Sequence, residues 1–260
     1  MYPFHPRFLL WPVFRIYEKV LWRQIRDLPP PKHIGIIMDG NRRWEKKMRK
    51  EPGQGHIHGS KKIEDILKWC WEAKVQIVTL YAFSTENFNR PEDEIRHLME
   101  LAADYFVKVS TDKYVHQYKV RLKTIGRKEM LPLKVQEAIQ KAEEATENYS
   151  DYTLQIAIAY GGRAELVDAI RQIVEQVQQG DIEIDCINEK IVGNALYTNG
   201  TPDPDLIIRT SGEERLSGFL LWQSAYSELF FTDVYFPTFR KIDLWRAIRT
   251  FQRRERRYGS

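Results

Sequence analysis

The chain has 260 residues, of which 43% are hydrophobic and 12% aromatic, so it can bury one large core and we expect a single domain. Its formal charge of +4 is the small difference between 40 basic and 36 acidic residues, which does not indicate binding to nucleic acid. No run of about 20 apolar residues occurs, so we expect no membrane-spanning helix.

The chain has two cysteines, Cys70 and Cys186, without the paired spacing of a zinc site or a disulfide scaffold. We expect both to be small buried side chains in a protein of a reducing compartment. The predicted location is therefore the cytoplasm.

Residues 1–30 are predicted to form an amino-terminal extension, which prolines 29–31 separate from a domain spanning residues 31–260. From about Trp11 the extension mixes Phe, Leu and Trp with Arg and Lys, a pattern typical of an amphipathic helix. Two interpretations remain open. Residues 1–28 could contact a membrane surface peripherally, or the helix could pack on the protein's own surface or on a dimer mate.

The first predicted strand lies within HIGIIMDGNRRW at residues 33–44, where an isoleucine-rich run ends in an acid, a glycine, an amide and two arginines. Ligands of open α/β sheets bind beyond the carboxyl ends of the strands, and helix amino termini attract anions. Asp39 beside Arg42 and Arg43 therefore suggests a phosphorylated ligand, with magnesium bridging the carboxylate to the phosphate. The alternative is a strand followed by an ordinary charged helix start.

Strands and helices then alternate, and the strands are runs of Ile, Leu and Val, as in parallel sheets covered on both faces. The sequence predicts a single α/β domain with a central, mostly parallel six-stranded sheet flanked by helices. After the first strand, the predicted helices are 59–74, 91–116, 132–148, 162–179 and one from Asp243, and the predicted strands are 76–83, 118–126, 153–160, 205–212 and 228–234. There is neither a GxGxxG fingerprint nor a P-loop, so nucleotide binding is not indicated.

Several sequence blocks carry a resemblance to a known family. They are IIMDGNRRW at 36–44, GHIHG at 55–59, TLYAFSTENFNRP at 79–91, AYGGR at 159–163, DLIIRTSGEERLSGFLLWQ at 205–223 and RERRYG at 254–259. Across residues 31–259 the chain resembles the cis-prenyltransferases, the undecaprenyl and dehydrodolichyl diphosphate synthases, and within them the archaeal and eukaryotic branch. The resemblance implies the cis-prenyltransferase fold and not the all-α fold of trans-prenyltransferases.

The implied activity is condensation of isopentenyl diphosphate with an allylic prenyl diphosphate in cis geometry, which gives a long polyprenyl diphosphate, the precursor of a glycosyl carrier lipid. The implied cofactor is Mg²⁺, and the implied assembly is a homodimer. Two alternatives remain open. One is prenyl transfer to another acceptor, such as a second allylic diphosphate or an alcohol, and the other is a non-catalytic partner subunit.

The resemblance also assigns roles to residues of this sequence. Residues implied to bind the allylic diphosphate are Gly40, Asn41, Arg42, Arg43 and Trp44, and those implied to bind isopentenyl diphosphate are Arg209, Arg215 and Ser217. His56 is implied to contact a diphosphate, with a helix cap or a core role as the alternative, and Leu216 is a further substrate-binding candidate. The block after the second strand adds the substrate-binding candidates Ser84, Thr85, Glu86, Phe88 and Arg90. Asp39 and Glu228 are the implied magnesium ligands, and Arg257 and Gly259 are implied to complete an active site, often that of the neighbouring subunit.

Asn87 in the same block is the second implied catalytic residue, beside Asp39. Because an amide is a poor base, we expect Asn87 to orient the substrate or to relay a proton to the released pyrophosphate. One departure concerns the segment between Trp44 and His56. Pro52 stands where bacterial relatives often place an arginine that grips the diphosphate, and Arg49 or Lys50 could substitute for it.

Overall fold

The structure, a computed structural model, describes residues 7–254, with side chains from residue 14 onward. The helices are α1 (Arg7–Ile25), α2 (Asn41–Lys47), α3 (Gln54–Glu72), α4 (Glu92–Thr111), α5 (Lys113–Gln117), α6 (Leu133–Glu144), α7 (Gly162–Gln179), α8 (Glu189–Ala195) and α9 (Lys241–Arg253). The strands are β1 (His33–Ile37), β2 (Ile77–Ser84), β3 (Val120–Ile125), β4 (Tyr152–Tyr160), β5 (Leu206–Arg209) and β6 (Glu228–Phe231).

The six strands form one sheet in the order β3-β4-β2-β1-β5-β6. Every neighbouring pair is parallel, so the predicted α/β architecture is confirmed and the sheet is wholly parallel. Ile37 at the end of β1 pairs with Tyr81 of β2 and with Arg209 of β5. The carboxyl ends of these three strands therefore meet at one edge of the sheet.

Helices cover both faces of the sheet, and all five residues of β1 are buried. Ile34 and Ile36 belong to the larger core, which the sheet forms with α3, α4, α6 and α9. Ile37 belongs to a smaller core on the opposite face, together with Ile207 and Phe219. The side chains of one strand alternate between the two cores because successive residues of a strand point to opposite faces.

Some predicted boundaries differ from the structure for local reasons. The predicted helix 59–74 begins earlier, at Gln54, so the GHIHG block is helical. The predicted helix 91–116 is two helices, because the Asp112 side chain accepts hydrogen bonds from Tyr114 N at 2.8 Å and Val115 N at 3.2 Å and caps a new helix. The last helix begins at Lys241, two residues before the predicted start.

Helix α1 packs against α9 through its carboxyl-terminal half. Leu21 and Ile25 are buried in the larger core, and the rings of Trp22 and Trp245 lie 5.1 Å apart. Of the two interpretations left open, this part of the helix matches packing on the protein's own surface. None of the helices that the structure describes is long and apolar enough to cross a bilayer.

The prediction for the cysteines holds for one of the two. Cys70 is buried in α3, and burial raises the pKa of its thiol to about 12. Cys186 is exposed, so the expectation that it is buried was wrong. It lies at the end of a short exposed 3-10 helix, Ile184–Cys186, between α7 and α8.

We expect Leu21→Ala to lower the free energy of unfolding by about 2–5 kcal/mol, since it leaves a cavity between α1 and the core. The matched control is Val20→Ala in the same turn, whose side chain is 40% exposed and whose loss should cost no more than about 0.5 kcal/mol. Urea denaturation followed by circular dichroism measures both. Equal small effects of the two substitutions would show that α1 does not contribute to the stability of the domain.

Candidate active site

The carboxyl end of β1 makes a tight turn into α2 at Gly40. Gly40 has a φ of 96°, in the left-handed region that favours glycine. A Cβ atom there would lie 2.7 Å from Ser211 Cβ and 2.7 Å from Tyr235 Cδ1. The glycine therefore lets the chain turn directly against the loop that follows β5, and this contact brings Asp39 beside Arg209.

Asp39 and Arg209 form an ion pair between the ends of β1 and β5. Asp39 Oδ2 accepts a hydrogen bond from Arg209 Nη2 at 2.8 Å, and Oδ1 accepts one from Gly40 N at 2.6 Å. Burial by itself raises the pKa of Asp39, but the hydrogen bond and charge of Arg209, with smaller contributions from Gly40 and Arg43, lower it below its usual value. Asp39 is therefore an ionised carboxylate at neutral pH.

The loop after β5 adds further groups to this pair. Arg209 is 4% exposed and donates through Nη1 to Ser217 Oγ at 2.8 Å and to the Arg215 carbonyl. Glu213 accepts hydrogen bonds from Arg43 Nη1 at 2.7 Å and from Arg215. Three arginines thus converge on one side of the site, and two acids of the chain hold them in place.

A second group of charges lies at the start of α3 and α4. Glu94 accepts from Arg90 Nη1 at 2.9 Å and from Arg42 Nη1 at 3.3 Å. His56 lies nearby in the first turn of α3, and burial and the charge of Arg90 lower its pKa to about 4, so its ring is neutral at pH 7. Its Nε2 is buried and has no hydrogen-bond partner among the residues that the structure describes. A ligand atom could satisfy this nitrogen.

The position of His56 depends on the glycine beside it. A Cβ atom on Gly55 would lie 2.2 Å from the Asn41 carbonyl oxygen, so only glycine allows α3 to approach α2 this closely. Gly55 N also donates to Glu45 at 2.8 Å. The GHIHG block therefore serves to bring the first turn of α3 against the amino end of α2.

The carboxyl end of β2 continues into a 3-10 helix, Thr85–Asn89. Ser84 and Asn87 form a reciprocal cap, in which Asn87 Oδ1 accepts from Ser84 N at 3.0 Å. The cap fixes the orientation of the Asn87 amide at the edge of the site. In this arrangement Asn87 is suited to position a ligand, and an amide has no basic group that could remove a proton.

These groups surround the mouth of a cavity of about 850 Å³. Five arginines and three acids line it, namely Arg42, Arg43, Arg90, Arg209 and Arg215 with Asp39, Glu86 and Glu213. The inner part is apolar and is lined by Ile63, Leu80, Leu98, Met99, Leu101, Ala102, Tyr105, Phe106, Ile156 and Ile158. Arginine forks bind phosphate oxygens and the apolar interior favours hydrocarbon, so the cavity suits a molecule with an anionic head and a long apolar tail.

Most of the site residues implied by the resemblance line this cavity, including Gly40, Asn41, His56, Ser84, Asn87 and Ser217. Four do not. Trp44 is buried against His58, Phe88 packs edge-on against Phe83, Thr85 lies against Gly161, and Leu216 contacts the smaller core. These four side chains support the walls of the site in this structure.

Pro52 stands where bacterial relatives often have a diphosphate-binding arginine, and the two residues predicted to replace that arginine also lie outside the cavity. Arg49 and Lys50 are exposed residues of the turn between α2 and α3, and neither contributes to the lining. Pro52 is exposed in the same turn. Arg42 and Arg90, held together by Glu94, are the arginines that this structure places on that side of the mouth.

Within one subunit, Glu228 and Asp39 lie at opposite edges of the sheet. It begins β6 and pairs in register with Leu206, at the amino edge of the sheet, whereas Asp39 follows the carboxyl end of β1. Glu228 accepts a hydrogen bond from Arg254, just beyond α9. One chain therefore does not bring the two implied metal ligands together. Arg257 and Gly259 lie outside the described residues.

The sequence interpretation did not include Glu94 or Glu213, and it did not assign individual residues to the apolar lining. Glu94 carries a detectable signal, because it follows Arg90 by four residues and such pairs face each other on a helix. Glu213 carries none, since its partner Arg43 is 170 residues away in the chain. The lining of the cavity likewise depends on how α3 and α4 lie across the sheet.

A magnesium ion at this site would need oxygen ligands. Within residues 7–254 there is no group of three or more His, Cys, Asp or Glu side chains that could form a metal cage. Mg²⁺ usually binds one or two carboxylates together with substrate phosphates and water. Asp39, ionised and facing the arginine-lined mouth, fits such a substrate-dependent site.

Comparison with known proteins gives a consistent result. A family model for prenyltransferases of the undecaprenyl diphosphate synthase type matches residues 37–259. Among curated proteins, the chain is 53% identical over 254 residues to the tritrans,polycis-undecaprenyl-diphosphate synthase (geranylgeranyl-diphosphate specific) of Pyrococcus abyssi, covering 98% of this chain and 96% of that one. The protein of the same name from Methanopyrus kandleri is 50% identical, covering 97% and 93%.

A solved structure extends the comparison to the fold. The lavandulyl diphosphate synthase of Lavandula x intermedia, determined in complex with dimethylallyl diphosphate, superposes with a TM-score of 0.84 at 34% identity. The match covers 89% of this chain and 99% of that one. The similarity therefore includes the sheet and the helices that surround the cavity.

The unpartnered Nε2 of His56 generates a prediction for anion binding. We expect NMR titration of the free protein to give His56 a pKa of about 4, and saturating inorganic pyrophosphate to raise that pKa by at least about one unit, because a nearby anion favours the protonated ring. His33 is the internal control. Burial also lowers its pKa to about 4, but it lies at the amino end of β1 and should not respond. If the two rings shift equally, His56 is not next to the bound anion.

Proposed function

The chain belongs to the undecaprenyl diphosphate synthase family of cis-prenyltransferases, and we propose that it extends an allylic prenyl diphosphate with isopentenyl diphosphate units in cis geometry. It is a prenyltransferase, and its product is a long-chain polyprenyl diphosphate, the precursor of a glycosyl carrier lipid. The observation that carries this proposal is the continuous cavity from an arginine-lined mouth to an apolar interior. Such a cavity can hold the diphosphate in place while the hydrocarbon tail grows away from water.

We assign the two diphosphates to the two groups of charges at the mouth. The allylic diphosphate would contact Gly40, Asn41, Arg42, Arg43 and His56, at the start of α2 and α3. Isopentenyl diphosphate would contact Arg209, Arg215 and Ser217, in and after β5. Asp39 lies between the groups and is paired with both Arg209 and Arg43, at 2.8 Å and 3.3 Å, which supports this division.

We propose Asp39 as the residue that would hold Mg²⁺ together with substrate phosphates. When bound there, the ion would supply Lewis-acid stabilisation of the departing pyrophosphate. The arginines act on the same leaving group, since each guanidinium offers several N–H donors to phosphate oxygens. Asn87, held by its cap with Ser84, would orient the substrate or relay the proton that the product loses, and the released pyrophosphate would take up that proton.

The primer that we propose is geranylgeranyl diphosphate. The curated relatives with about half their residues identical to this chain carry that specificity in their names. The arginines share the cavity with an apolar lining that includes Leu98 and Met99 of α4 and Ile63 of α3. A long primer would therefore enter the apolar part of the cavity before the first condensation.

We propose a homodimer whose subunits complete each other's sites. Glu228 and the end of α9 lie at the amino edge of the sheet, opposite Asp39, so Glu228, Arg257 and Gly259 would serve the site of a second copy. The outer face of α7 supports an interface, because it exposes Val167, Ile170 and Val174 in one stripe. In this arrangement Glu228 would be the second carboxylate near the bound magnesium.

We propose peripheral contact with a membrane through the amino-terminal extension, residues 1–28. The side of α1 that faces away from the core exposes Phe14, Ile16 and Val20. Exposed aromatic and aliphatic side chains of this kind bind at the interface of a bilayer. A product with a long hydrocarbon tail would leave the enzyme at such a surface. The remainder of the chain, from residue 31, would be the catalytic domain.

The first test is an incubation of the purified protein with labelled isopentenyl diphosphate, Mg²⁺ and geranylgeranyl diphosphate, followed by extraction and sizing of the product. We expect long labelled polyprenyl chains, and we expect Asp39→Ala to lower turnover by at least about a hundredfold. Farnesyl diphosphate is the comparison primer. A folded protein that incorporates no label with either primer would contradict elongation and would favour transfer to a different acceptor.

The shared site is tested by mixing two inactive variants. If Arg257 serves the partner's site, a mixed dimer of Asp39→Ala and Arg257→Ala subunits contains one intact site. Random mixing should then restore about a quarter of the wild-type activity, since half of the dimers are mixed and each has one of two sites. If Arg257 acts in its own subunit, the mixed dimer has no intact site, and the mixture stays as inactive as the separate variants.

A further inference from the structure

The turn between α2 and α3, residues 48–53, borders the mouth of the cavity without reaching into it. None of its six residues contributes to the lining, and Pro52 offers no donor in place of the arginine of bacterial relatives. The turn ends at Gly53, three residues before His56, which does line the mouth. The position of the turn therefore affects the site through the start of α3.

His97, in the second turn of α4, lies directly against Gly53. A Cβ atom on Gly53 would lie 2.7 Å from His97 Nε2 and 3.0 Å from His97 Cδ2, too close for an ordinary side-chain contact. Gly53 also has a φ of 87°, in the left-handed region that favours glycine. Both the backbone conformation and the contact with the ring therefore require glycine at this position.

The His97 ring acts on the turn by packing. Its Nε2 is buried and has no hydrogen-bond partner among the residues that the structure describes. His97 does not line the cavity, so it can affect a ligand only through its neighbours. Because closely packed groups transmit displacements, loss of the ring would leave Gly53 free to move towards α4.

Gly53 connects this packing contact to His56. The Gly53 carbonyl oxygen accepts hydrogen bonds from His56 N at 3.1 Å and from Ile57 N at 3.2 Å, where α3 begins. The two imidazoles are also close enough to interact electrostatically. Burial and the charge of Arg90 have the larger effects in lowering the pKa of His56, and a charge on His97 lowers it further. A movement of Gly53 would therefore move the imidazole at the mouth.

Helix α4 holds the other side of the turn through Glu94. Glu94 precedes His97 by three residues, a spacing that places both side chains on one face of the helix. It accepts a hydrogen bond from Arg42 Nη1 of α2 at 3.3 Å. One face of α4 thus contacts α2 through Glu94 and the start of α3 through His97.

We propose that His97 is a positioning residue for the allylic diphosphate: its ring holds Gly53 in place, and Gly53 holds the first turn of α3, with His56, at the mouth of the cavity. This inference rests on the proposed assignment of the allylic diphosphate to the start of α2 and α3. The proposed site for isopentenyl diphosphate, in and after β5, makes no contact with this turn and should not depend on His97.

The first test measures the binding of geranylgeranyl diphosphate and of isopentenyl diphosphate, each alone, by tryptophan fluorescence. We expect His97→Ala to raise the Kd of geranylgeranyl diphosphate about three- to tenfold and to change that of isopentenyl diphosphate less than about twofold. The matched control is Arg96→Ala, on the same helix turn, whose side chain is exposed and should not affect either Kd. Equal changes in both Kd values, or no change in either, would overturn the role of His97.

The second test is a double-mutant cycle with Gly53→Ala. In the wild type the added methyl group meets the His97 ring, whereas in His97→Ala that space is open. The strain of a left-handed alanine is present in both backgrounds and cancels in the cycle. We expect Gly53→Ala to raise the Kd of geranylgeranyl diphosphate at least about tenfold in the wild type and less than about threefold in His97→Ala.

Independent, multiplicative effects of the two substitutions would show that His97 does not act through Gly53. If His97→Ala does not fold, His97→Val, which retains part of the volume of the ring, takes its place in both tests. Both tests measure binding without turnover. A wild type that binds geranylgeranyl diphosphate but elongates no primer would therefore contradict the proposed function and not the role of His97.

Discussion

The ion pair between Asp39 and Arg209 is the interaction on which the rest of the site depends. Arg209 is almost fully buried, and a buried guanidinium without partners would be strongly destabilising. Its partners come from three places, the Asp39 carboxylate, the Ser217 hydroxyl and the Arg215 carbonyl. The loop after β5 must therefore fold back over the strand end. It does so with left-handed backbone at Gly212 and Gly218, which glycine adopts freely, and at Ser211 and Ser217, where the same conformation is strained, as is common at functional sites.

Pairing with carboxylates also holds the remaining arginines at the mouth. Glu213 bridges Arg43 and Arg215, and Glu94 bridges Arg42 and Arg90. The guanidinium groups are thus directed into the mouth before a substrate binds, which lowers the cost of ordering them when it does.

The polar mouth and the apolar interior follow from one geometric fact. The strands β2, β1 and β5 end at the same edge of a parallel sheet, where their polar residues collect, while α3 and α4 run from that edge along one face of the sheet. Polar groups at the strand ends and apolar groups along the strands therefore line one cavity in sequence.

The sequence by itself determined the fold class, the family and the residues at the ends of β1, β2 and β5. These features are local: runs of Ile and Val predict buried strands, and the polar residues that follow mark their ends. It also predicted most helix and strand positions to within about five residues, but it gave no range for α2 or α8, and the Asp112 cap divides one predicted helix. The sequence did not predict that Cys186 is exposed, because a local pattern does not show whether another part of the fold covers a turn.

Only the tertiary structure decided which of these residues meet. Asp39 and Arg209 are 170 positions apart, and their contact depends on the parallel register of β1 and β5. The path of the chain likewise decides that Glu94 and Glu213 contact the arginines. It also decides that Trp44 and Phe88 lie outside the cavity and that Glu228 lies at the opposite edge of the sheet. Periodicity fixes which face of an element is buried, but contacts between distant elements depend on register and packing, which no short segment contains.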